Sequence, residues 1–164
     1  MGGASVEEDT WIQQLKSTDF VKRQLTHASK VAFVGDDTWL DLFPNSLDEA
    51  YPYPSFNTRD LDTVDNGCLH HIPDLLGKLR SRNSTAEDDD LEVMIVHFLG
   101  VDHVGHTYGP HNQHMDAKLK QMDDALTDLL EYLDHQQQSC SVAFIFGDHG
   151  MTEDGRYYVI TFVF

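Results

Sequence analysis

The stretch LEVMIVHFLGVDHVGHTYG, residues 91–109, decides how this chain is read. Its first part, 91–99, is an apolar run through Val93, Met94, Ile95, Val96 and Phe98. That is the pattern of a parallel strand buried on both faces. Asp102 and His106 follow at once, and one helical turn sets residues i and i+4 on a common face. A carboxylate and an imidazole so placed can grip one divalent cation. Mixed Asp/His donation suits zinc or manganese better than calcium.

Downstream, residues 113–135 carry Met115, Leu119, Met122, Leu126, Leu129 and Leu133 at alternating steps of four and three, which predicts a long amphipathic helix. Residues 141–146 then read as a second buried strand, ending in Gly147-Asp148-His149-Gly150. Flanking glycines allow the backbone to bend there, so that Asp148 and His149 reach one site. Upstream, Val31-Ala32-Phe33-Val34 reads as a strand closed by the turn Gly35-Asp36-Asp37. With no histidine nearby in sequence, Asp36 and Asp37 are read as turn or cap residues. A short helix through Phe43 is stopped by Pro44.

The remaining segments carry less. Residues 1–30 form a helical lead, with Trp11, Leu15, Phe20 and Leu25 as a loose apolar face. Residues 45–68, rich in Asn, Asp, Pro and Tyr, are expected to be an irregular surface excursion. A helix is predicted over 69–79, and a solvated loop over 81–90. That loop holds Asn83-Ser84-Thr85, a glycosylation candidate at Asn83 if the chain is luminal. His103 lies off the Asp102–His106 face, and His70, His71, His111, His114 and His135 are assigned to the surface or to supporting roles. Cys68 and Cys140 are expected to be buried free thiols. The tail, 157–164, is apolar and β-prone, an aggregation liability unless a sheet covers it.

Strand, helix, strand, helix, strand is the order of a parallel α/β sheet. Ligand sites gather at the carboxyl ends of such strands, so both polar clusters fall on one edge. The length of 164 residues suits one domain. A net charge of −17 repels phosphate backbones and argues against nucleic acid as partner. No apolar run reaches the ~18 residues of a membrane helix, and 1–10 lacks the features of a signal peptide.

These motifs resemble the alkaline phosphatase superfamily, and within it the GPI ethanolamine phosphate transferases, most closely their third-mannose, class O type. The resemblance rests on VGDDTW (34–39), PSFN (54–57), DLDTVDNG (60–67), HFLGVDHVGHTYG (97–109) and GDHGMT (147–152). It implies a three-layer α/β sandwich around a mostly parallel sheet, alkaline-phosphatase-like and incomplete in this chain. All of 1–164 would belong to one luminal catalytic domain, with a helical lead (1–30), a family-like core (31–155) and an atypical apolar tail (156–164). Asp102 and His106 would hold one zinc ion, and Asp148 and His149 a second. The family passes phosphoethanolamine from phosphatidylethanolamine, by way of a threonine nucleophile, to a mannose of the GPI glycolipid precursor. It does so in the endoplasmic reticulum membrane, where a membrane partner subunit is a further expectation for the intact enzyme. The threonine, an upstream metal-binding aspartate and a final zinc-binding histidine have no counterpart in this sequence. The isolated chain is therefore expected to be inactive. Two other readings stay open, a non-catalytic metal-binding fragment and a phosphodiesterase or phosphatase of the same superfamily.

Overall fold

A computed structural model describes residues 10–17, 30–79, 91–135, 141–154 and 156–158. Its centre is strand β1 (Val31–Asp36), every residue of which is buried. β1 pairs in parallel with β2 (Glu49–Tyr53) on one side and β3 (Val93–His97) on the other. Register sets Val34 opposite Val96 and Gly35 opposite His97. The apolar runs at 31–34 and 93–96, each read from sequence as a strand of a parallel sheet, thus lie side by side. β3 is half-buried rather than buried, as befits the edge of the β2-β1-β3 sheet.

Helices cover both faces. Helix α1 (Trp11–Ser17) is the described part of the helical lead, and α2 (Thr38–Leu42) follows β1. Phe33 stacks on Trp39 of α2 with ring centroids 5.0 Å apart, and Trp39 meets the edge of Trp11 at 6.3 Å. On the opposite face Ala32 and Val34 pack with Val64, Cys68 and Leu75 of α3 (Thr63–Lys78), and with Leu91 and Leu99. Burial pushes the Cys68 thiol up to about 12, aided by the charge of Asp65. A free buried thiol is what the sequence suggested at Cys68, whereas Cys140 lies outside the described residues. Helices α4 (Gly100–Tyr108) and α5 (Gln113–His135) complete the order and pack on each other. A short antiparallel pair, β4 (Gly150–Met151) and β5 (Tyr157–Tyr158), closes it.

Three expectations need correction. Residues 45–68 are not irregular, because 49–53 form β2. Pro52 masks that strand in the sequence, yet an edge strand tolerates a residue without an N–H. Helix α3 begins at Thr63 rather than 69. Asp60 Oδ1 accepts the N–H groups of Asp62 (3.2 Å) and Thr63 (3.0 Å) and so starts the helix early. Finally, 141–146 pairs with no strand among the described residues. Val142, Phe144 and Phe146 are 73%, 82% and 81% exposed. A continuous apolar run signals a strand covered on both faces, and here no described element covers either. Asn83, the rest of the 81–90 loop and the tail from 159 onward lie outside the described residues.

Candidate metal centre at the carboxyl edge of the sheet

Both predicted clusters meet where β1 and β3 end. On α4, Asp102 and His106 stand as i and i+4 neighbours, with His106 Nε2 3.4 Å from Asp102 Oδ1. The turn before β4 delivers His149 Nε2 to 3.8 Å from that same oxygen and 3.6 Å from Asp148 Oδ2. The four residues singled out in the sequence thus share one site. The structure adds two more. His97, at the end of β3, sets Nε2 3.7 Å from Asp148 Oδ2. Asp36, at the end of β1, brings Oδ2 to 3.9 Å from His97 Nδ1.

Asp36 keeps the turn role expected of it, since its Oδ1 accepts the N–H of Thr38 at 2.8 Å. It also faces a histidine 61 positions away, which sequence distance concealed. Asp37 stands at the cap position of α2 without capping it, and its Oδ1 instead accepts the Ser55 hydroxyl at 2.7 Å. His103, left out of the site, does turn away from it. Its ring spans Asp60 O (2.6 Å) and Ser55 O (2.9 Å) and ties α4 to the 54–60 loop.

What holds α4 in place is buried and ionic. The Asp65 side chain is fully buried, and its Oδ1 accepts the N–H groups of Leu99 and Gly100, both at 2.9 Å. Those are orphan donors at the start of the helix that carries Asp102 and His106. Lys118 of α5, 5% exposed, neutralises Asp65 at 3.1 Å and also reaches Asp62 at 2.7 Å. Close approach requires glycine here, because a Cβ on Gly100 would stand 2.1 Å from Asp65 Oδ2. Gly105 serves the other contact: a Cβ there would lie 2.1 Å from Met151 Sδ. The absent side chain lets the residue after GDHG lie against the helix of the other motif.

Among the described residues no group of three or more Asp, Glu, His or Cys side chains is placed so that it could hold a cation. One observation nonetheless fits a cation. Asp102 Oδ1 is buried and accepts no hydrogen bond among the described residues. A carboxylate oxygen stripped of water costs free energy unless something positive faces it. Two imidazoles beside it are the donor chemistry of a zinc site.

The fold and this edge define a class. A family model described as type I phosphodiesterase / nucleotide pyrophosphatase matches residues 4–160, and the chain belongs to that family. Its relatives are more particular. It is 46% identical over 138 residues to the Homo sapiens GPI ethanolamine phosphate transferase 3, catalytic subunit, covering 84% of this chain and 11% of that protein. The Mus musculus protein of the same name is 42% identical over 92% of this chain and 12% of its own length. GPI ethanolamine phosphate transferase 2 of Saccharomyces cerevisiae is 38% identical over 92% of this chain and 16% of its own length. The chain thus spans less than a fifth of the curated relatives it matches. No solved structure gives a significant match.

Proposed function

We propose that this chain is part of the catalytic domain of a metal-dependent ethanolamine phosphate transferase, acting on the GPI-anchor precursor at the endoplasmic reticulum membrane. The observation that carries it is that His106 and His149 both stand beside the buried Asp102 oxygen, which has no hydrogen-bond partner among the described residues, with Asp148 against His149. Asp102 and His106 would hold one divalent cation, and Asp148 and His149 a second, zinc in both. When bound, such a pair of cations offsets charge on the transferring phosphoryl group. The residues contribute position. Asp65 fixes the start of α4, so Asp102 and His106 keep one rotational setting. Gly105 and Met151 keep the second pair against the first. The net reaction moves phosphoethanolamine from phosphatidylethanolamine to a mannose hydroxyl: the P–O bond to diacylglycerol breaks, a P–O bond to the mannose oxygen forms, and the hydroxyl proton ends on the released diacylglycerol. Third-mannose specificity rests on the wording of the motifs at 34–39, 54–57, 60–67, 97–109 and 147–152; the human and mouse relatives are named transferase 3 and the Saccharomyces cerevisiae one transferase 2. The words "catalytic subunit" in the human and mouse names support a partner subunit.

Calorimetry of the full chain with zinc tests the metal reading. Wild type should bind, and a His106→Ala/His149→Ala variant should lose binding. Identical titrations would sink the metal role. The family's description favours a second reading, in which water is the acceptor. A longer protein containing this chain separates the two on labelled phosphatidylethanolamine. Label on the glycolipid means transfer, and free phosphoethanolamine means hydrolysis. The isolated chain should turn over neither.

A further inference from the structure

His97 sits at the rim of the proposed site with a ring nitrogen toward each of two carboxylates, which on distance alone suggests a fifth ligand. Its other contact argues otherwise. Trp39 Nε1 lies 3.0 Å from His97 Nδ1. An indole N–H can only donate. Nδ1 must therefore present its lone pair, and the ring proton resides on Nε2. Asp36 Oδ2, the competing partner for Nδ1, is farther at 3.9 Å. The indole is itself held, stacked on Phe33 at 5.0 Å and against Phe43 at 5.1 Å.

We infer that His97 is a positioning residue rather than a metal ligand: Trp39 fixes it as the Nε2–H tautomer, and that N–H is directed at Asp148. Nε2 faces Asp148 Oδ2 at 3.7 Å, while Asp148 Oδ1 accepts the N–H of His149 at 3.0 Å. The Asp148 side chain is 60% exposed and rides on a segment outside the sheet. His97 belongs to β3, so this contact, longer than a hydrogen bond, sets the exposed carboxylate against the sheet. A carboxylate oriented from behind by an N–H donor is a common support for a metal ligand. The metal-positioning consequence rests on the two-cation reading, but the tautomer does not.

The test uses the full chain with isotope-labelled histidine. Long-range proton–nitrogen spectra without metal should show His97 with protonated Nε2 and bare Nδ1. Trp39→Phe should yield a mixture of tautomers, and Asp148→Asn should move the His97 Nε2–H resonance. A protonated Nδ1 in wild type, or an Nε2–H resonance indifferent to Asp148→Asn, would overturn the inference while leaving the metal reading intact. With zinc, His97→Leu should weaken binding about 10–100-fold. His97→Gln should restore most of it, because its amide can accept from Trp39 and donate to Asp148. Coupling between bound cadmium-113 and His97 Nε2 would make His97 a ligand and refute the positioning role. Failure of wild type to bind zinc at all would fall on the metal reading, and the metal-free spectra would still decide the ring.

Discussion

The two halves of the candidate site are built to different standards. Asp102 and His106 sit on a nine-residue helix. Its first N–H groups end on a fully buried carboxylate, and a buried lysine balances that charge. Asp148 and His149 follow a segment with no strand partner among the described residues and with its aromatic side chains in water. One half is positioned by its own surroundings. Among the described residues, the contacts that tie the other to the first half and to the sheet include Gly105 with Met151, His149 with Asp102, and His97 with Asp148. A site can thus be half preorganised, with the fold's free energy concentrated behind one pair of donors.

The contrast breaks most easily at Asp65. Asp65→Leu leaves Lys118 buried without this partner and strips two N–H groups of their acceptor. It should cost about 3–5 kcal/mol in urea unfolding. A loss below 1 kcal/mol would show that α4 is not clamped as described. Next is the docking contact between the halves. Gly105→Val should cost about 1–3 kcal/mol by overpacking against Met151. It should also weaken zinc binding more than its effect on folding explains. Equal binding in this variant would mean that the motifs work independently.

A smaller effect is expected from acid. Hydrogen bonds from the Thr63 hydroxyl and backbone hold the Asp60 carboxyl below its ordinary value of 3.8. Its folded pKa lies below its unfolded one. Its contribution is therefore complete above the unfolded value and is lost as pH falls through the lowered one. Asp60→Asn should flatten that part of the pH–stability curve below about pH 4, with little change at pH 7. Smallest of all is Phe144→Ser. With Phe144 82% exposed, stability should move by less than about 0.5 kcal/mol. A loss above 1 kcal/mol would mean that 141–146 is covered in solution, and the two halves would then be more alike.

Legibility in the sequence followed the same divide. Periodicity alone gave helix α5 its limits, 113 and 135, and the apolar runs located β1 and β3. Asp102 and His106 were visible because their spacing is local. β2 was hidden by Pro52, since propensity cannot reveal that a strand lies on an edge. Asp36 and His97 were missed as a pair because only the register of two parallel strands brings them together. The 141–146 run was misread for a converse reason: composition reports what a segment can bury, not whether a neighbour arrives to cover it. Asp65 stood inside the DLDTVDNG motif, yet nothing local announced its buried contact with the backbone of Leu99 and Gly100.

The pairing of Gly35 with His97 also has a genetic consequence. Side chains alternate across a strand, so removal of one codon within 93–96 would send the imidazole to the opposite face. Every residue named in the site would still be encoded, and Asp148 would lose its tether to the sheet. Missense change at these positions should be tolerated far better than a single in-frame deletion among them.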